Sequence, residues 1–144
     1  MPRFSPASLN ELVTISPELQ ALFSTVVRGF DCKILEGHRT LGRQRYLYEQ
    51  GRIRPGPIVT HCDGVTKVSN HQRVDENGLC LAVDVVPYPV DRDDVHRFYR
   101  FAGYVQRVAE ELGIKVQWGG DWEMKDYPHW ELVGHQPVPI MAVV

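Results

Sequence analysis

Apolar positions recur at helical spacing in some stretches and run unbroken in others, and this predicts the elements. Leu19, Leu22, Phe23 and Val26 repeat at three- and four-residue steps, the stripe of an amphipathic helix. Ser16 reads as its N-cap, Pro17 as its first residue and Glu18 as a first-turn acid, and Gly29 stops it. A shorter helix is expected over Ser8–Val13. Cys32–Leu35 reads as a strand. Thr40 can cap a helix through Gln50, with Gly51 ending it. Pro55, Gly56, Pro57 and Gly64 make 52–70 a loop, with a short strand over Ile58–Thr60. Leu79–Val86 is nearly all apolar and is closed by Pro87 and Pro89, which predicts a buried central strand. Val95, Phe98, Ala102, Val105, Ala109 and Leu112 predict the strongest helix, Asp93–Leu112, stopped by Gly113. Lys115–Trp118 and His129–Val133 read as short strands, with a turn over 119–122 between them. The tail, 135–144, reads as irregular. Helices and strands mix without a strict βαβ rhythm. The expected class is therefore α+β, a small antiparallel sheet packed against helices.

Composition narrows the picture. A chain of 144 residues is one domain, 1–144, and can bury a real core. A net charge of −2 argues against a dedicated nucleic-acid binder. No apolar run approaches the roughly 20 residues that span a bilayer, so no membrane partner is expected. The first residues hold no long apolar stretch, and no signal peptide is expected. Cys32, Cys62 and Cys80 form no Cys-x-x-Cys, which suits reduced thiols made in a cytoplasm. Cys32 and Cys80 read as small core residues.

The chemistry gathers at a few polar residues. Asp84 lies inside the most apolar run of the chain, where an isolated carboxylate is costly, so it should be paired or hold a metal. Catalytic zinc takes three ligands from His, Asp, Glu and Cys and leaves a position open. His71, Asp84 and His129, each at or near a strand, fit that demand. Asp126 precedes His129 by three residues, with Pro128 bending the chain between them. Its carboxylate has the chemistry of a general base beside an activated water. Arg39, just before a helix, could meet an oxyanion or a substrate carboxylate.

The plain reading of each is a buried carboxylate bonded to amides or to Arg39, a loop histidine and a core histidine. His61-Cys62-Asp63 reads as a polar loop tip rather than a second metal site with Cys80. His38, His96 and His135 read as surface histidines. Trp118 and Trp122, flanking Gly119-Gly120-Asp121, either line a cleft or close the core. Arg39, Arg43, Arg45, Arg52 and Arg54 carry about +4 with Glu49 among them. They either attract an anionic polymer or form a solvated helix face.

These residues resemble the zinc peptidases of the D-alanyl-D-alanine carboxypeptidase and phage L-alanyl-D-glutamate endopeptidase family, on the hedgehog/D-Ala-D-Ala peptidase fold. The resemblance rests on Ser69-Asn70-His71, on Cys80-Leu81-Ala82-Val83-Asp84 with Cys80 in a glycine's place, and on Asp126-Tyr127-Pro128-His129. Outside the site, Glu36-Gly37-His38-Arg39-Thr40 and the Trp-Gly-Gly-Asp-Trp of 118–122 are similar to the phage endolysin branch. It covers about residues 8–133 and leaves 134–144 as a tail, and Gln72–Gly78 reads as an insertion.

The resemblance implies zinc on His71, Asp84 and His129, Asp126 as base and Arg39 as the group that stabilises the transition state. Ser69 stands behind the metal, and Trp118, Asp121 and Trp122 stand near it or along the substrate cleft. It implies a monomeric endolysin that cuts peptidoglycan stem peptides, made in the host cytoplasm and released to the wall. A D-alanyl-D-alanine carboxypeptidase or dipeptidase is the first alternative. A non-catalytic zinc-stabilised wall-binding module is the second, and Asp126 argues against it.

Overall fold

The computed structural model describes residues 1–134. Its elements run α1 (Pro6–Leu12), α2 (Pro17–Gly29), β1 (Cys32–Glu36), α3 (Leu41–Glu49), β2 (Ala82–Pro87), α4 (Val95–Leu112), β3 (Val116–Trp118) and β4 (His129–Leu132). The strands form one antiparallel sheet in the order β1-β2-β4-β3. The architecture is the small α+β one expected. No helix among the described residues is long and apolar enough to cross a membrane.

Local chemistry explains most of the boundaries. The Ser16 hydroxyl accepts from Leu19 N (3.4 Å), Thr40 from Arg43 N (3.1 Å) and Asp94 from Arg97 N (3.2 Å). Each satisfies an amide that the first helical turn leaves unpaired. Asp94 as cap moves the start of α4 to Val95. Ser5 caps α1 with Pro6 behind it, so that helix begins before the expected Ser8.

Two expectations differ. β2 begins at Ala82, not Leu79, because Cys80 bonds elsewhere: its amide donates to Thr14 O (2.8 Å) and its carbonyl accepts from Ser16 N (2.9 Å). Ile58–Thr60 forms no strand. Side chains take the carbonyls around it, Gln50 Nε2 bonding Pro57 O (2.9 Å) and Arg52 Nη1 bonding Thr60 O (3.1 Å).

One face of the sheet is closed by α2 and α4, and their apolar stripes are buried against it. Trp130 of β4 is fully buried, edge-on to Phe23 (6.3 Å) and stacked on Trp118 (5.9 Å). Side chains alternate along a strand, so Trp130 and Leu132 facing the core send His129 and Glu131 to the other face. Register then aligns that face across strands. Glu36 opposes Asp84, and Asp84 opposes His129. This row of polar residues on directly paired positions is the floor of the site.

Candidate metal centre and cleft

Three donors converge on the open face of the sheet. His71 Nε2 lies 3.2 Å from Asp84 Oδ1, and His129 Nδ1 lies 3.4 Å from the same oxygen. The three donor atoms all fall within 4.8 Å of one another. Ligands at roughly 2.0–2.1 Å in a tetrahedral zinc site stand about 3.3 Å apart, so both contacts with Asp84 have the length of a tetrahedron's edge.

The far side of each imidazole sets its tautomer. His71 Nδ1 lies 2.9 Å from Gly37 O. A carbonyl only accepts, so Nδ1 carries the hydrogen. His129 Nε2 lies 2.7 Å from Glu131 Oε1, and the same oxygen accepts from Asn70 Nδ2 at 2.8 Å. With a proton kept on each far nitrogen, a cation could replace the protons that otherwise bridge the near nitrogens to Asp84, leaving two lone pairs and a carboxylate oxygen aimed at one point. Such an array asks for a cation, and the residues fit a divalent metal of the kind bound by nitrogen and oxygen donors.

The same charges show in the titration of these groups. Burial works against ionised Asp84, yet the hydrogen bonds from His129 and His71 outweigh it and hold the acid well below the usual carboxylate range. Burial opposes protonation of His129, yet its bonds to Asp84 and Glu131 raise it to about 9.

His71 is placed by a single 3-10 turn, Asn70–Gln72. The Ser69 hydroxyl accepts from His71 N (3.3 Å), and Ser69 N donates to Gln72 Oε1 (3.0 Å). Of Gln72–Gly78, the segment read as an insertion, Gln72 belongs to that turn and 75–78 closes on itself. Asp75 Oδ1 accepts from the amides of Asn77 (2.8 Å) and Leu79 (3.0 Å), and Gly78 has φ +79°. The insertion therefore leaves His71 beside Asp84.

Asp126 reaches the same place from the segment before β4. Its amide donates to Gly119 O (2.9 Å), and Pro128 O accepts from Val85 N (2.9 Å). A Cβ at Gly119 would overlap the carbonyl oxygen of Asp126, so this close approach requires glycine. Asp126 Oδ2 stands 3.9 Å from His129 Nδ1, with its side chain 48% exposed. Burial and the charge of Asp84 raise its pKa.

Arg39 is half of a clamp. Its Nε and Nη2 each donate to Glu36 at 2.9 Å, and its Nη1 donates to Gln44 Oε1 (2.8 Å) and Ser69 Oγ (3.4 Å). A guanidinium has five N–H groups, so one remains, on Nη2. Gln44 is fully buried on α3 and also bonds Thr60 Oγ1 (3.2 Å) and Cys62 O (2.7 Å). It ties α3, the following loop and Arg39 together. Gln44→Ala is expected to destabilise the protein by about 1–3 kcal/mol, since it strands buried partners. Urea unfolding measures this, and a change within about 0.3 kcal/mol of zero would refute the tie.

Arg39, Ser69, His71, Asp84, Asp126 and His129 line one cleft of about 560 Å³. Trp122 also lines it, its ring 4.9 Å from that of His129. Trp118 does not: it is buried in the core, and its indole N–H donates to Tyr127 O (2.7 Å). Asp121 is exposed and outside the lining.

The remaining expectations fall out plainly. Asp63 is a turn residue that accepts from the amides of Val65, Thr66 and Lys67, and among the described residues His71, Asp84 and His129 are the one group arranged for a metal. Cys32 and Cys80 are buried, the latter thiol pushed up to about 12 by burial, and all three cysteines are free. His61 and His96 are exposed, whereas His38 is half-buried. The tail from His135 lies outside the described residues.

Sequence reasoning missed Glu131, Asn70, Glu36 and Gln44. Strand alternation could have found Glu131, which shares a face with His129. Glu131→Ala is expected to weaken metal binding about 10- to 100-fold, and Glu131→Gln much less, because the outer partner orients the imidazole. Chelator competition measures both, and equal affinities in all three proteins would remove Glu131 from that role.

A small α+β domain with three donors that could hold a metal and a neighbouring carboxylate is the class that fold and site define. The chain belongs to the phage L-alanyl-D-glutamate peptidase family of peptidoglycan hydrolases, whose model matches residues 1–133. It is 33% identical over 107 residues to the peptidoglycan L-alanyl-D-glutamate endopeptidase CwlK of Bacillus subtilis, covering 74% of this chain and 63% of that protein. It is 26% identical over 135 residues to the L-alanyl-D-glutamate peptidase of Escherichia phage T5, covering 90% of this chain and 88% of that one. The chain thus spans less than two-thirds of the Bacillus protein's length. The solved structure of the Serratia marcescens L-Ala D-Glu endopeptidase ChiX superposes with a TM-score of 0.66 at 28% identity, covering 92% of this chain and 91% of that one.

Proposed function

We propose that this chain is a zinc-dependent L-alanyl-D-glutamate endopeptidase that cuts peptidoglycan stem peptides and serves as a lysis enzyme. It is made in the host cytoplasm and acts at the wall as a monomer, a single domain with its core over 8–133 and its tail over 134–144. One observation carries the reading: a carboxylate, Asp126, stands 3.9 Å from a proposed ligand in the same cleft as the three donors. A site that only bound metal would have no use for it.

His71 Nε2, Asp84 and His129 Nδ1 would hold the zinc. Bound there, zinc supplies an acidified water and polarises the scissile carbonyl. Asp126 takes the proton of the attacking water and returns it to the leaving amine. Its raised pKa makes it the stronger base for the first step and keeps the proton on the carboxyl until the amine leaves. Arg39 offers its remaining Nη2–H and its charge to the oxyanion, and Glu36 and Gln44 hold it still. Ser69 joins this clamp to the backbone of His71 and so couples the arginine to the metal centre. Trp122 covers one side of His129 and excludes water from it.

Digestion of purified peptidoglycan, read by mass spectrometry, tests the bond. New amino termini at D-glutamate are expected, with L-alanine left on the glycan side. Release of terminal D-alanine alone would point to a carboxypeptidase. Wall binding without cleavage in the zinc-loaded protein would point to a binding module.

A further inference from the structure

The wall of the cleft formed by α3 continues outward into a face that the mechanism does not use. The segment 39–54 carries +4 in a chain of net −2, so the rest of the molecule sums to −6. Opposite charges neutralise only part of this segment. Among the described residues Arg45, Arg52 and Arg54 form no ion pair, whereas Arg39 and Arg43 share Glu36.

Two of the arginines are held flat. The Arg52 guanidinium lies 3.8 Å from the ring centre of Tyr48, and that of Arg54 lies 3.6 Å from Tyr46. Main-chain carbonyls fix them further. Arg52 Nη1 donates to Tyr48 O (2.6 Å) and Thr60 O (3.1 Å), and Arg54 Nη2 donates to Tyr46 O. These acceptors are neutral, so each arginine keeps its full charge. Stacking and carbonyl bonds restrict the side chains before any ligand arrives, which lowers the ordering cost of binding an anion. The face also joins the cleft directly: Thr60, whose carbonyl holds Arg52, lines the cleft with Leu47 and Val59.

We infer that this arginine–tyrosine face is a second contact surface for the substrate, one that binds carboxylates of stem peptides next to the peptide held in the cleft. The inference rests on the peptidoglycan reading above. A glutamyl residue has two carboxyl groups, and one stays ionised when the other is in a peptide bond. Neighbouring stems on one glycan strand therefore present repeated carboxylates, a polyanion that complements fixed, unneutralised guanidinium groups. Attraction of this kind concentrates the enzyme on its insoluble substrate and is screened by salt.

The test uses the zinc-loaded Asp126→Asn protein, chosen to leave the wall intact, and sedimentation with purified sacculi stripped of phosphate polymers. Adding Arg52→Gln and Arg54→Gln is expected to weaken binding about five- to tenfold at low salt, as two charge contacts of the face are lost. Arg52→Lys with Arg54→Lys should retain most of the binding, and salt at about 0.5 M, where the Debye length falls to roughly 4 Å, should erase the differences. Thermal unfolding and zinc content confirm that each variant is folded. Undiminished binding by the glutamine pair would overturn the inference. So would equal loss with lysine, which would mean a packing role, or wild-type binding that disappears once phosphate polymers are stripped. The readout is binding, so absence of cleavage by the wild type would strike the peptidase reading alone.

Discussion

Asp126→Asn is expected to lower cleavage of peptidoglycan stems by about 10²- to 10⁴-fold, the usual worth of a positioned base, while zinc content stays unchanged. The side chain keeps its shape but loses the basic oxygen. Its backbone bonds to Gly119 and His129 remain, so the loop should hold its place. Asp126 is not needed to bind the ion, because His71, Asp84 and His129 supply three donors by themselves. The two measurements, turnover and metal stoichiometry, therefore separate. A variant that lost zinc along with activity would make Asp126 a ligand. One that kept full activity would send the search for the base elsewhere in the cleft.

Asp84→Asn should remove the metal. Asp84 is the central donor, in contact with both imidazoles, and the one anionic member of the set. An amide presents a weaker ligand, and its NH₂ group cannot face two lone pairs and a cation alike. Zinc bound only to the folded state adds stability by mass action, about 2.7 kcal/mol when free zinc is 100 times its Kd. The wild type should therefore gain thermal stability with zinc and lose it with a chelator, whereas Asp84→Asn should show one Tm in both conditions. A zinc-dependent rise in Tm that survives the substitution would place the ion at another site.

The arrangement of the cleft separates two jobs that one arginine might be asked to do. Arg39 is bound on three sides by Glu36, Gln44 and Ser69. That makes it rigid, and rigidity is what electrostatic stabilisation of an oxyanion needs, because no reorganisation is then required as charge develops. It also spends most of its donors. Attraction of the substrate at longer range falls better to the unneutralised arginines of α3 and its turn.

Much of this was legible in the chain. Ser16, Thr40 and Gly113 mark helix ends through contacts made within a few residues, and such contacts do not depend on the rest of the fold. Asp84 stood out because a carboxylate in an apolar run must be compensated. His71, His129, Asp126 and Arg39 were legible by residue type and by resemblance. The partners that hold them were not. Gly37 O holds His71 across 34 residues and Asn70 reaches Glu131 across 61, and no local pattern announces such pairs. The same holds for the two tryptophans, where one faces the core and one the cleft although only three residues separate them.

By itself, then, the sequence determined the helices, the polar residues able to bind a metal and the α+β class, because caps, periodicity and ligand chemistry act at short range. Tertiary structure alone decided the register that sets Glu36, Asp84 and His129 in one row, the tautomer-fixing contacts behind each histidine and the clamp on Arg39. Those depend on which strand pairs with which, and at what offset. A one-residue slip would turn His129 into the core and Trp130 toward the cleft. The burial of Trp130 against Phe23 and Trp118 resists that slip, so the packing of one face of the sheet fixes the chemistry of the other.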